Sequence, residues 1–304
     1  MDENFNKTKE EAELMNSMVR SAEDTLIQQE LYLETDENKT RDALPSCRRV
    51  GPRATWLSPY PHWFLDFDHS WHNLFCSMHS FNETQLLKCF NNSKIMIFGD
   101  SNAERIHAHF NSKLKLDCHR NNNKSWNVHI SCHRSDSTME LTFDPHENHL
   151  YLSGVVWDVY KEGGVVHHID NLPPSGRHVV VVHYYLHTMG AHLSVVQNRL
   201  LLYKAAIIKA LARNPSILFA FRGPHISQKE WEVGHSLIGD SQGVFYLSIV
   251  KDIFKDLIDN VVFLDGWGMS IAVENEKFHP TEDIPSLMVN LLISFSCEPD
   301  PLDE

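Results

Sequence analysis

Lys94–Phe110 reads KIMIFGDSNAERIHAHF, and no other stretch says as much about how this chain folds. Lys94–Phe98 is a short apolar run stopped by Gly99, the signature of a strand buried on both sides. Gly99-Asp100-Ser101-Asn102 is turn chemistry, and Ala103–Phe110 then takes up a helical pattern. Working outward, the same strand-then-helix alternation recurs. His149–Leu152 (HLYL) leads into Gly154, and His178–Tyr184 (HVVVVHY) is the strongest strand signal in the chain. Ser216–Phe221 (SILFAF) stops at Arg222-Gly223-Pro224, and Asn260–Leu264 (NVVFL) stops at Asp265-Gly266. Between and after them, Leu193–Asn214, Ser241–Leu257 and Ile284–Phe295 are apolar at i, i+3, i+4 spacing. Continuous apolar strands alternating with helices predict an α/β fold with a mostly parallel sheet covered on both faces. The expectation is one α/β domain over about 46–298, preceded by an arm (1–45) and followed by a short tail (299–304).

Composition narrows the class. The chain has 304 residues, 42% of them hydrophobic, with 27 Lys+Arg against 40 Asp+Glu and a formal charge of −13. That balance argues against nucleic acid as a partner, since phosphate contacts need a basic footprint. No window reaches the roughly 18 uninterrupted apolar residues of a membrane helix. Residues 1–45 hold twelve acidic against five basic side chains, which reads as a solvated, partly helical or disordered arm. Met1–Arg20 shows no basic start followed by an apolar run, so no secretory leader is visible there. Six cysteines (47, 76, 89, 118, 132 and 297) fit three disulfides, with 15 connectivities open. Five Asn-x-Ser/Thr sequons, at Asn6, Asn38, Asn82, Asn91 and Asn123, point the same way, toward a secretory lumen.

In an open parallel sheet, ligands bind beyond the carboxyl ends of the strands. Ser101 would stand there, on a strand-to-helix turn whose free N–H groups favour negative charge. The plainer reading is that Asp100 and Ser101 are simply helix caps. At the other end of the chain, Glu276-Lys277-Phe278-His279-Pro280 precedes the final helix. There His279 can serve as a base for Ser101 and Glu276 can orient its imidazole, with Asp265 as the fallback acid. His107-x-His109 and His167-His168 lack a third ligand at metal spacing and read as surface histidines, so no metal is expected. Arg222 could hold a carboxylate bidentately, such as that of a sialic acid, or simply end a strand. The aromatic stretch Thr55–Leu74 (TWLSPYPHWFLDFDHSWHNL) reads as a lid packed on the core, or else as a sugar-stacking platform.

An early Gly99-Asp100-Ser101 and a late acid-x-x-His around a parallel sheet resemble the SGNH/GDSL hydrolase superfamily. The resemblance is closer to the C-terminal domain of the NXPE (neurexophilin and PC-esterase domain) family. It runs from about Cys47 to Cys297 through Trp71–Cys76, Val179–His187, Lys251–Phe254, Asp265–Ser270 and His279-Pro280. It implies an SGNH-like three-layer α/β/α fold, secreted or lumenal (Golgi) residence, and O-acyl chemistry on glycans, as esterase or O-acetyltransferase. Ser101 matches the nucleophile and His279 the base, with Glu276 where the superfamily prefers Asp. The superfamily builds its oxyanion hole from the nucleophile's N–H, a glycine N–H and an Asn side chain. Ser101 and Gly154 match the first two, and His187 stands in for the absent Asn. Arg105, four residues after the serine, is the displaced counterpart of the family arginine and a candidate substrate contact. No bound cofactor is implied, acetyl-CoA being a candidate acyl donor, and the partner is a glycan or glycoprotein. Two other readings stand beside this one. The first is a catalytically silent secreted binding domain, and the second is a cytosolic acyl esterase, which would need free thiols.

Overall fold

A strand such as Val179–Val182 has no polar face, so something must cover each side of it, and two separate helical layers do. The computed structural model describes residues 44–57, 62–120, 128–146, 164–188, 191–227 and 240–297. The greater part of the acidic arm, the tail, the HLYL run, Gly154 and the sequons at Asn6, Asn38 and Asn123 lie outside the described residues. In chain order the strands are β1 (Trp63–Leu65), β2 (Trp71–Asn73), β3 (Lys94–Gly99), β4 (Asp117–Arg120) and β5 (Ile130–Arg134). They continue with β6 (Ser137–Pro145), β7 (Val179–Val182), β8 (Leu218–Arg222) and β9 (Val261–Leu264). The helices are α1 (Cys47–Val50), α2 (Ala54–Leu57), α3 (Glu83–Cys89), α4 (Ser101–Leu114) and α5 (Val165–Asp170). They end with α6 (Leu193–Arg213), α7 (Asp240–Phe254), α8 (Gly266–Ala272) and α9 (Asp283–Ser296).

β1 and β2 make a separate hairpin, and the other seven strands form one sheet in the order β4-β5-β6-β3-β7-β8-β9. The five from β6 to β9 are parallel, whereas β4 and β5 add an antiparallel edge. Side chains alternate between two cores, as the period of 2 requires. Ile95, Ile97, Val179, Val181 and Leu264 face α4 and α9, while Met96, Phe98, Val180, Phe219 and Phe263 face α5, α6 and α7. The architecture is thus a three-layer α/β fold with a mostly parallel sheet. The predicted strands at 94–98, 178–184, 216–221 and 260–264 and the three predicted helices are all present.

The chain leaves β3 toward β6 on one side and later returns to β7 on the other. The carboxyl end of β3 is therefore the switch point where a crevice opens. Three disulfides, Cys47–Cys76, Cys89–Cys297 and Cys118–Cys132, use all six cysteines. No thiol is free, which removes the support for a cytosolic thiol-bearing esterase. Most of the aromatic stretch packs inward. Trp63 is buried edge-on to Trp71 and Phe75, and Trp56 Nε1 donates to the Val261 carbonyl at 2.6 Å. Phe67, at the hairpin turn, is fully exposed. Among the described residues, no helix is long and apolar enough to cross a membrane.

Candidate active site

Gly99 ends β3 because nothing larger fits. A Cβ there would lie 2.7 Å from Ala103 Cβ and 2.8 Å from the His183 carbonyl oxygen. With the strand pressed this closely against the first turn of α4, Ser101 stands at the first helical position, where its N–H has no intrahelical partner. Asp100 caps the helix, its Oδ1 accepting from the Asn102 N–H at 2.8 Å. Of the two residues expected as caps, Asp100 is the one that caps, and Ser101 is the first residue of the helix.

Ser101 Oγ and His279 Nε2 are 2.7 Å apart, across 178 positions of sequence. The loop that carries His279 is tied down carbonyl by carbonyl. Asn275 Nδ2 donates to the Ile226 and Lys277 carbonyls at 2.6 and 2.8 Å. His225 Nε2 donates to the Phe278 carbonyl at 2.9 Å. From α4, Arg105 donates to the Pro280 carbonyl and to Glu282, whose other oxygen lies 2.8 Å from His109 Nε2. Arg105 and His109 are one turn apart, so they meet Glu282 from the same helix face. Arg105, expected as a substrate contact, is instead spent on the loop that places His279. His109 belongs to the same latch.

We expect Glu282→Gln to slow fluorophosphonate labelling of Ser101 by roughly ten- to a hundredfold, the effect of a displacement near 1 Å. Because Glu282 is 69% exposed, unfolding stability should change by less than about 1 kcal/mol. Labelling at the wild-type rate would show that the latch does not position the histidine.

Beneath the serine lies a cluster the sequence did not announce. Arg222 is 2% exposed, and its Nη1 donates to His183 Nε2 at 2.7 Å. His183 Nδ1 donates in turn to the Arg222 carbonyl at 3.1 Å, which fixes a neutral ring. Asp100 Oδ2 lies 3.4 Å from His183 Nε2. Burial pushes the Asp100 pKa up, but the positive charge of the cluster, carried at neutral pH by Arg222, holds it well below the usual carboxylate range. Burial lowers Arg222 to about 10, with Asp100 opposing, so the guanidinium remains charged at neutral pH. The sequence reading of Arg222 as an open carboxylate clamp is corrected here. The strand end faces inward, and the guanidinium balances a buried aspartate of the protein itself.

His187 sits beside this cluster on a 3₁₀ turn after β7, its Nδ1 2.8 Å from His146 Nε2. Burial pushes His187 down and His146 to about 3, so both rings are neutral. Asp265 is committed elsewhere. It caps α8 through Gly268 N–H at 2.9 Å, and its other oxygen faces His62 Nδ1 at 3.6 Å. Glu276 is exposed on the His279 loop. His107 is not a surface histidine. It is 4% exposed, with Nε2 3.3 Å from Cys132 Sγ, and burial lowers it to about 4. Cys118 and Cys132 lie near enough to His107 to suggest a donor set, but their sulfurs are bonded to each other. Among these anchors, sequence reasoning missed Asn275, His225 and His183. Their only signal is position, each being a polar side chain at or just past a strand or helix end.

The buried histidines set the acid stability. A histidine whose folded pKa is depressed binds a proton only on unfolding, so its contribution is full above about pH 6.5 and is lost as pH falls toward the folded value. For His146 and His107 the loss sets in as pH falls through about 6.5 and continues to about pH 4 for His107 and about pH 3 for His146. Urea midpoints at pH 7, 6 and 5 should fall in that order, whereas a flat profile down to pH 5 would show that these rings take up protons in the fold.

Residues 71–297 match the family model described as NXPE family member 4-like, C-terminal domain. Among solved structures, one described as a GDSL-like lipase from Parabacteroides merdae ATCC 43184 is similar at 11% identity and a TM-score of 0.40. It covers 68% of this chain and 96% of that chain.

Proposed function

The chain belongs to the NXPE family, whose C-terminal-domain model spans most of it, and from that membership we propose that it is a serine-dependent carbohydrate O-acyl enzyme. The observation that carries the proposal is the 2.7 Å contact between Ser101 Oγ and His279 Nε2 at the amino end of α4. His279 Nε2 takes the serine proton, and Oγ attacks the acyl carbonyl. Glu276, three residues earlier on the same loop, is the acid we assign to the imidazole Nδ1–H. The oxyanion falls against the Ser101 N–H and the helix amino end.

For a further donor we assign His187. If His146 Nε2–H donates to His187 Nδ1, the His187 proton must sit on Nε2, the tautomer a donor needs. Because both rings are neutral, this arrangement does not change across the physiological range. Gly154 remains the glycine candidate for the same role. The acyl-enzyme then passes its acetyl group to water or to a sugar hydroxyl, with acetyl-CoA as the donor in the transferase case. Three disulfides support residence in an oxidising lumen, where glycans and glycoproteins are the available substrates.

The test is a trapped intermediate. Brief mixing with acetyl-CoA or p-nitrophenyl acetate, acid quench and peptide mass spectrometry should find one acetyl group on the Ser101 peptide. Folded protein that gains no acetyl from either donor defeats the reading. The exposed Glu276, a weaker orienter than a buried carboxylate, would then favour a silent binding domain on the same fold.

A further inference from the structure

Two sequons fall within the described residues, and the structure treats them differently. Asn82 is exposed and caps α3 through a reciprocal pair of bonds: its Oδ1 accepts from Gln85 N–H at 3.0 Å, and Gln85 Oε1 accepts from Asn82 N–H at 2.9 Å. Both bonds use the side-chain oxygen and the backbone amide of Asn82. The side-chain nitrogen Nδ2, the atom that carries an N-linked sugar, takes part in neither. Thr84, the hydroxyl residue of this sequon, is exposed as well. In the second sequon Asn91 Oδ1 accepts from the Thr138 hydroxyl at 3.0 Å, and Ser93 is 1% exposed at the entry to β3.

Placement completes the argument. Glu83, next to Asn82, pairs with Lys115 at 2.6 Å and with Arg134 at 2.5 Å. Lys115 follows the far end of α4, and Arg134 ends β5 just before β6 begins. Both partners therefore lie at the amino ends of the parallel strands, whereas Ser101 lies at the carboxyl end of β3. An oligosaccharide on Asn82 stands clear of the serine, keeps the helix cap and displaces no packed side chain.

We propose that Asn82 is an N-glycosylation site, filled from a lipid diphosphate-linked oligosaccharide by a lumenal oligosaccharyltransferase. Nδ2 bonds to the anomeric carbon as the bond from that carbon to the diphosphate oxygen breaks. The lipid diphosphate leaves with the electron pair, and the transferase takes the amide proton. The inference rests on the lumenal reading of the preceding section and not on the acyl chemistry.

The experiment expresses the full chain behind a cleavable signal peptide in human cells. Secreted protein is deglycosylated with a peptide amidase in ¹⁸O-water and mapped by peptide mass spectrometry. The Asn82 peptide is expected largely as ¹⁸O-labelled Asp. Thr84→Ala, which keeps the cap, and Asn82→Asp, which keeps its oxygen, should each remove the same single mobility step. An unmodified Asn82 peptide in secreted, disulfide-bonded protein overturns the proposal, as does a full set of mobility steps in Thr84→Ala. Fluorophosphonate labelling of the same samples separates the two claims. Thr84→Ala should label at the wild-type rate, and a wild type that carries the sugar but resists the probe sinks only the acyl reading.

Discussion

Fluorophosphonate labelling will vanish in Ser101→Ala and fall by about 10⁴-fold or more in His279→Ala, the scale on which nucleophile–base pairs fail when either member is removed. The two losses have different causes. Without Oγ there is nothing to phosphonylate. Without His279, Oγ keeps its proton, because the contact at 2.7 Å is the only base the geometry offers it among the described residues. Combining the two should cost no more than Ser101→Ala alone, since the residues act as a unit. Glu276→Gln should cost far less, on the order of 10²-fold, because water competes with an exposed carboxylate for the imidazole. The three single variants should retain the wild-type unfolding free energy within about 1 kcal/mol, which excludes unfolding as the cause. Full labelling of His279→Ala would show that the serine does not depend on this histidine, and the proposed mechanism would fail with it.

The largest stability effect is expected at Arg222. Replacing it with methionine keeps the volume but strands Asp100, a buried carboxylate that loses its balancing cation. Removing one partner of such a pair costs about 3–5 kcal/mol. Asp100→Asn in the same chain should recover much of that loss, because the uncompensated charge is gone and the amide oxygen can still accept from Asn102 N–H. A double variant as unstable as Arg222→Met alone would mean that Arg222 acts through packing. Asp100 also caps the helix that begins with Ser101, so Arg222→Met should slow labelling even where the protein remains folded.

Much of this was legible from residues 94–110 and 178–184. A strand buried on both faces must be apolar throughout, and that run of valines has no other use. β6 escaped the same criterion. Its Met139, Leu141 and Phe143 alternate with Thr138, Glu140 and Thr142, because only one of its sides enters the α4–α9 core. β4 and β5 are short, polar and antiparallel, so they carry still less signal. In the site, Ser101 and His279 were readable from turn chemistry and from the resemblance. Arg105 and Arg222 were found but given the wrong direction. A sequence places a side chain at a strand end or on a helix turn, and only the surrounding charges decide whether it faces inward or outward. For Arg222 the deciding charge is Asp100, more than a hundred positions away.

The disulfides have a mechanical consequence. Cys47 is bonded to Cys76, and Cys89 to Cys297, so a covalent path crosses the domain through the short stretch between Cys76 and Cys89. Tension applied through the chain on either side of residues 47–297 runs along that path and bypasses residues 90–296. Strands β3 to β9 and the Ser101–His279 pair all lie within the bypassed loop. A copy pulled by the chain on its two sides would therefore carry its load on sulfur bridges and one small helix while its sheet stayed slack.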